Sequence, residues 1–414
     1  MTGVNWAGNV VFRARRQARP ASIEELQAMV AGSDRVRALG SGHSFNRIAD
    51  TDGTQLTVSG LPREIEIDTS ARRVRVSAGL TYAELASHLQ DAGLALPNLG
   101  SLPHISIAGA CATGTHGSGN GNGNLATAVS AIEMVTASGG VVALSRADDA
   151  DRFDGAVVGL GCLGIVTRMT LDLVASFAVA QYVFEDLADE SLDEHVDEIF
   201  ASGYSVSVFT DFRSNRIWCK RLATDPPPAE RMFGATAAPE QRNPVPGMSA
   251  ANSTRQLGVP GPWHERLPHF RPEFTPSSGA ELQSEYLLPR RHAVAAVREV
   301  RALREQITPL LQIAEMRTVA ADALWLSPSY QRDTVGLHFT WVDDTAAVLP
   351  VVQAIERRLA PFRPRPHWGK VFAIPPAAVG AEYEWMPAFG ELMREYDPHG
   401  KFRNALVDEY VSLA

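Results

Sequence analysis

Cysteine is scarce in this chain. Three occur among 414 residues, Cys111, Cys162 and Cys219, far apart and odd in number. No disulfide framework or zinc spacing follows from them, and buried thiols in a reducing compartment are the plain reading. Basic charge is also short: 38 Lys and Arg stand against 47 Asp and Glu, a net −9. That balance argues against a general nucleic-acid or anionic-membrane partner. No apolar run approaches the length of a bilayer span. The N-terminal Met1-Thr2-Gly3-Val4-Asn5-Trp6 lacks the charged and apolar regions of a secretory leader. The expectation is a soluble cytoplasmic protein. Missing too are a Walker-type Gly-Lys-Ser, a nucleophile elbow in a strand–helix context, and histidines at helical metal spacing, so no metal is expected. There is no internal repeat, heptad run or low-complexity tract.

What is present is a hydrophobic fraction of 45%, enough for a sizeable core and, at this length, for about two or three domains. Ser22-Ile23-Glu24-Glu25 carries a capping-box pattern and opens a helix through Val30. Val36 to Leu39 reads as a strand, and Leu56 to Leu61 and Glu64 to Val76 alternate like strands. A second capping box at Thr81 to Glu84 opens a helix to about Ala92, stopped by Gly93. Residues 100 to 124 hold seven glycines and have little helix or strand preference of their own, yet Ile105, Ile107 and Cys111 would seek burial. Glu133 to Val135 and Val141 to Leu144 form a hairpin pattern through Gly139-Gly140, and a glycine turn at 160 to 164 enters a strand. From about 176 the texture changes. Strand-like runs appear at Ala178 to Phe184, Ser205 to Thr210 and Ile217 to Arg221. A proline-rich stretch from 223 to 277 wraps a second domain or covers an opening. Helices are expected at Arg291 to Gln306 and Ala346 to Leu359, with strands at Ile313 to Thr318 and Gly336 to Trp341. Asp397 to Phe402 is a turn into a short tail.

Three arrangements could carry chemistry. Gly40-Ser41-Gly42-His43-Ser44 follows a strand directly, so its backbone amides can approach a phosphate closely. An exposed turn histidine would give the same pattern. The motif is not a dinucleotide fingerprint, since Phe45 stands where a third glycine belongs and no helix follows, which disfavours a nicotinamide dehydrogenase. Glu315 and Arg317 sit two apart in a strand and share a face, as do His338 and Thr340 in a later strand. Adjacent strands would gather all four, with Met316 and Phe339 behind; a solvated sheet face would look alike. In Arg365-Pro366-His367-Trp368-Gly369-Lys370 a stiff approach meets a permissive turn, and a surface loop is the alternative.

With these residues, the chain resembles the vanillyl-alcohol-oxidase-type flavoproteins with a PCMH-type FAD fold, and within them the sugar-alcohol oxidases. The carrying motifs are Gly40 to Asn46, Gly100 to Ser106, Ala112 to Ser118, Glu315-x-Arg317, His338-x-Thr340 and His367 to Lys370, and the resemblance spans essentially the whole chain. It implies an α+β architecture: an FAD-binding domain of two α+β subdomains from residues 1–175, an antiparallel-sheet cap over the substrate at 176–371, and a return to the FAD domain at 372–414. It implies FAD bonded covalently to His43. Gly40, Ser41, Gly42, Ser44, Ser101, Ser106, Gly109, Thr113, Gly114, Thr115 and His116 would hold the cofactor, with Ile165 at its adenine side and His367 near the ring. Ser101, Glu315, Arg317, Thr340 and Lys370 would hold a polyol, with Lys370, Arg317 and His338 as catalytic groups. The implied reaction oxidises the terminal hydroxyl of an alditol such as xylitol or sorbitol to the aldose, with dioxygen going to hydrogen peroxide. Lys370, a neighbouring histidine or water takes the hydroxyl proton. The resemblance also implies that Gly100 would leave a path for dioxygen, a plain turn glycine being the alternative. A monomer with no nucleic-acid or membrane partner is expected. An aldonolactone oxidase or dehydrogenase of the same fold is the near alternative, and a catalytically silent flavin-fold protein the distant one.

Overall fold

The computed structural model describes residues 3–273 and 280–411. Three short strands open the chain: β1 (Arg16–Ala18), β2 (Val36–Ala38) and β3 (Thr54–Leu56). They form a parallel sheet with β3 in the centre. Helix α1 (Ile23–Ala31) connects the first two. Ser22 caps it by accepting from the Glu25 amide, and Leu26 and Val30 turn inward. They pack with Val36, Leu56, Val135, Ile165 and Phe402 in a small core of their own.

The next layer is an antiparallel sheet of β4 (Ile65–Asp68), β5 (Arg73–Ser77), β6 (Val129–Val135), β7 (Val141–Ser145) and β8 (Ile165–Asp172), in the order β4-β5-β8-β6-β7. The capping box of α2 (Tyr82–Asp91) forms in full, with Thr81 and Glu84 satisfying each other's amides. Part of the glycine-rich stretch, Ile107–Ala112, is helical (α3), and Ile107, Ala110 and Cys111 are buried beneath it. Burial of small apolar side chains outweighs the weak local propensity there.

Among the described residues the largest sheet has ten strands. Its long members are β9 (Ala178–Leu187), β10 (Ser205–Thr210), β11 (Asn215–Leu222), β12 (Glu281–Pro289), β13 (Leu311–Val319) and β14 (Thr334–Val342). Their order is β9-β11-β10-β13-β14-β12, antiparallel throughout, with Arg365–Pro366 adding a short edge to β12. Helices Asp189–Ala201, Ala293–Arg301 and Thr345–Leu359 bury apolar stripes; those of the last two are Ala293, Ala296, Val297 and Val300, and Val348, Val352, Ile355 and Leu359.

The chain end returns to the beginning. The Val36 amide donates to the Lys401 carbonyl, and Asn404 donates to the carbonyls of Arg47, Ile48 and Asp50. Buried Arg37 donates to the carbonyls of Leu160, Gly161 and Phe402, tying three distant segments together.

Several boundaries differ from the pattern reading. Val58–Gly60 is a 3₁₀ turn rather than strand, because Thr57 accepts from the Ser59 amide and pulls the backbone round. The helix expected over 291–306 breaks after Arg301 and resumes at Arg304–Ile307. The tail holds helices Met386–Tyr396 and Ala405–Tyr410, which the pattern reading left out. The stretch 223–273 carries short strands at Arg231–Met232, Ala235–Ala237 and Gly261–Pro262, and a helical turn at Trp263–Arg266. The rest of that stretch, 274–277, lies outside the described residues.

Candidate active site

One cavity of about 520 Å³ runs from the Val58–Ser59 turn, past residues 38–46, to the polar face of the large sheet. Of the residues singled out from the sequence, Gly40, Ser41, Gly42, His43, Ser44, Ser101, Ser106, Gly109, Thr113, Thr115 and His116 line it, as do Glu315, Arg317, His338, Thr340, His367 and Lys370. Two do not. Ile165 is fully buried in the small core; strand alternation turns its side chain away, while its neighbours Gly164 and Val166 face the cavity. Gly114 packs against Pro328 and Val158 instead.

At the β2 end, the amides of Ser41, Gly42, His43 and Ser44 meet no acceptor among the described residues. A side chain at Gly40 would place its Cβ 2.3 Å from Ser106 Oγ, so this strand end and the start of α3 press together. The His43 ring stacks on Trp6 at 4.5 Å and lies 4.7 Å from His104. Burial, helped by His104, pushes His43 down to about 3, so its imidazole is neutral and nucleophilic at ordinary pH.

The sheet face is set by register. Glu315 on β13 lies opposite His338 on β14, which lies opposite Glu285 on β12. Two residues along the same strands, Thr340 lies between Ile313 and Gln283. Met316 and Phe339 are buried on the far side. The four polar residues read from the two strands therefore do share a face, and a fifth joins them.

That fifth residue, Glu285, was not found from the sequence. Its side chain is wholly buried, and both carboxylate oxygens are engaged. Arg317 Nη2 donates to Oε1 at 2.7 Å, and Lys370 Nζ donates to Oε2 at 2.6 Å. His116 Nε2 stands 3.2 Å from Oε1 without making a hydrogen bond. The available signal was parity: Glu281, Gln283 and Glu285 put polar groups on one face of a strand. Lys220 and His269 were also missed, and no local pattern marks either as buried.

Lys370 Nζ also donates to His338 Nδ1 at 2.8 Å, and His338 Nε2 then donates to Thr340 Oγ1 at 3.1 Å. The turn that carries Lys370 is fastened to the His43 segment. The Phe45 amide donates to the Gly369 carbonyl, and Asn46 donates to the carbonyls of Trp368 and Lys370. On the opposite side, His269 Nε2 meets Glu315 Oε1 at 3.2 Å.

Electrostatics follow from burial and pairing. Burial would raise Glu285, but Arg317 and Lys370 outweigh it and hold the carboxyl well below the usual range. Glu315 is lowered in the same way, against burial, by Arg317 and His269. Arg317 is raised because the two carboxylates overcome its burial. Burial lowers Lys370, with Glu285 opposing. Burial and the Lys370 charge push His338 down to about 4 and hold His367 well below its ordinary value. The sheet face thus carries two anions, two cations and neutral imidazoles, a dense and nearly uncharged set of donors and acceptors. Ser106 Oγ, His116 Nε2 and Arg317 Nε are buried in this wall and have no hydrogen-bond partner. Such groups want a polar occupant. Free amides at one end and unpaired polar atoms along the wall suit a long cofactor and a polyhydroxyl ligand.

These features define an FAD-binding oxidoreductase. The FAD binding domain family model matches residues 14–145, and the D-arabinono-1,4-lactone oxidase model matches 280–410. An alditol oxidase from Streptomyces sp. (strain IKD472) is 53% identical over 409 residues, covering 97% of each chain. An L-gulono-1,4-lactone dehydrogenase from Mycobacterium tuberculosis is 29% identical over 97% of this chain and 96% of its own. The glucooligosaccharide oxidase of Acremonium strictum, described with a 6-S-cysteinyl, 8α-N1-histidyl FAD, shares the fold at a TM-score of 0.76. That match has 14% identity and covers 100% of this chain and 95% of that one. The chain belongs to the FAD-dependent alditol oxidase family, and lactone-oxidising enzymes are its more distant relatives.

Proposed function

We propose that this protein oxidises the terminal primary hydroxyl of a sugar alcohol such as xylitol or sorbitol to the aldose, using FAD bonded to His43. The observation that carries the reading is the row Glu315–His338–Glu285 across three adjacent strands, with Lys370 joining it to the His43 segment. The wall balances its own charges and keeps donors unpaired, which matches a ligand with many hydroxyls and no charge. The chemistry FAD supplies is acceptance of hydride from the carbinol carbon and return of two electrons to dioxygen, so alcohol and dioxygen give aldehyde and hydrogen peroxide.

The chain's own groups divide the remaining work. Lys370 spends two N–H bonds on Glu285 and His338; the third, with Arg317 Nε, which makes no hydrogen bond and faces Glu315 Oε2 at 3.6 Å, donates to the reacting oxygen as it becomes alkoxide-like. Glu315, Thr340 and Ser101 bind further hydroxyls. His338 has both ring nitrogens committed, so it orients Lys370 rather than accepting a proton. His116 Nδ1 is held by the Gly117 carbonyl at 2.9 Å, leaving Nε2 to take the hydroxyl proton beside the Glu285 carboxylate. The cofactor is held by the free amides of 41–44 and by the walls from Ser106, Gly109, Thr113, Thr115 and His116, with His367 at the ring. A histidyl link alone fits, since none of the three cysteines lines the cavity. Residues 1–175 and 372–414 form the FAD-binding part and 176–371 the cap, in a cytoplasmic monomer.

The test compares peroxide release from xylitol and sorbitol with that from L-gulono-1,4-lactone. Faster turnover of the polyols is expected, and preference for the lactone would replace this reading with the lactone oxidase one. Acid precipitation should leave yellow flavin in the pellet; a colourless pellet removes the covalent link.

A further inference from the structure

The polar wall has two carboxylate poles. Glu285 lies on β12 and Glu315 on β13, with β14 between them, so their backbones stand about 10 Å apart, two strand spacings. The Glu285 pole holds Lys370 and adjoins the His43 segment. The Glu315 pole lies across the wall and has its own support. Lys220 on β11 is fully buried; its Nζ donates to the Leu267 carbonyl and meets His269 Nδ1 at 3.4 Å. The His269 ring is held edge-on by Phe209 at 5.1 Å and Trp218 at 6.2 Å, and its Nε2 faces Glu315 Oε1.

Glu315, held as a carboxylate, only accepts, so the proton of the neutral His269 ring sits on Nε2, and the Nδ1 lone pair takes an N–H of Lys220, which burial lowers to about 7. That is the tautomer that donates to Glu315. With Oε1 occupied, Glu315 presents Oε2 to the cavity, 3.6 Å from Arg317 Nε.

We propose that Lys220 is a positioning residue for substrate length: through the tautomer of His269 it fixes Glu315 to accept the hydroxyls remote from the reacting carbon. This rests on the polyol reading of the same wall. A five- or six-carbon polyol reaches both poles, whereas glycerol engages only the Lys370 pole.

The experiment measures kcat and KM for xylitol, sorbitol and glycerol in the flavin-loaded enzyme and in Lys220→Met. The ratio of kcat/KM for xylitol to that for glycerol is expected to fall at least about tenfold, mainly through the KM for xylitol. His269→Phe fills the same slot without a donor and should lower the ratio in the same way. His269→Gln keeps an amide N–H near the Nε2 position and should hold the ratio within about threefold of the parent, because no tautomer then needs setting. An unchanged ratio in Lys220→Met or His269→Phe overturns the proposal, even where both rates fall together. So does a tenfold loss in His269→Gln. A parent enzyme that releases no peroxide from any polyol would instead sink the functional reading on which this one stands.

Discussion

His43 and Glu285 show how differently two residues of one site can be read. His43 announced itself because it sits inside a glycine turn at a strand end, where a bulky side chain has no structural reason to be. A neutral ring, pushed to about 3 by burial, would be free to bond to an electrophilic methyl carbon on the flavin's benzenoid ring without help. His43→Ala should leave FAD extractable by acid and slow turnover about tenfold or more, on the order of 1.4 kcal/mol. Flavin that stays acid-stable in this variant would mean another residue carries it. Glu285 gave only a parity signal, since alternating Glu281, Gln283 and Glu285 read as a solvated strand face until the Arg317 strand, the Lys370 turn and the His116 loop close around it. Replacing it with glutamine leaves two buried cations without their shared counter-charge. Stability should fall by about 3–5 kcal/mol. Lys370 should lose its proton at lower pH, so the alkaline limb of the turnover profile should shift downward. An unmoved limb would take Lys370 out of the charged role assigned to it.

Elements with their own periodicity were legible. The helix start at Ser22, the capping box at Thr81, the alternation along β13 and β14, and the apolar stripe of Thr345–Leu359 each follow from local side chains and appear where their patterns placed them, except that only half of the expected box forms at Ser22, because Glu25 accepts from the Ala21 amide instead. Elements made by tertiary contact were not. Helix α3 forms in a stretch of poor propensity because Ile107 and Cys111 reach the core, and Lys220 is buried where Leu267 and His269 lie against it. The glycine stretch also shows what its composition is for. Gly117 follows His116 and packs onto the turn before Ser101; a Cβ there would lie 2.3 Å from the Leu99 carbonyl and 2.6 Å from Asn98 Nδ2. Backbone cannot yield as a side-chain tip can, so Gly117→Ala should cost about 1–3 kcal/mol and displace His116. Thermal melting and flavin content should fall together, and a variant with parental melting and full flavin would show that this turn has slack.

Across the whole molecule, the buried histidines give stability a pH dependence over the range in which free imidazoles titrate. Burial and a neighbouring lysine push His269 and His338 to about 4 in the fold, while the unfolded chain titrates near 6.5. Between those values the unfolded chain binds more protons, so stability is complete above about pH 6.5 and is lost as pH falls toward 4. Each ring contributes up to about 3 kcal/mol over that range, and His367 acts in the same direction. Asp322 works the other way. Burial raises it to about 6 despite hydrogen bonds from Ser327, Leu324 and Asn124, so protonation between about pH 6 and 4 favours the fold. One such carboxyl recovers only part of what the imidazoles lose. Glu285 and Glu315, both held below their ordinary value, add a further loss once pH drops below about 4.5. The melting temperature of the flavin-loaded protein should therefore decline by several degrees from pH 7 to pH 4.5 and steepen below. A melting temperature that is flat or rises over that interval would mean these rings are charged in the folded protein, and the neutral, donor-rich wall described for polyol binding would lose its basis.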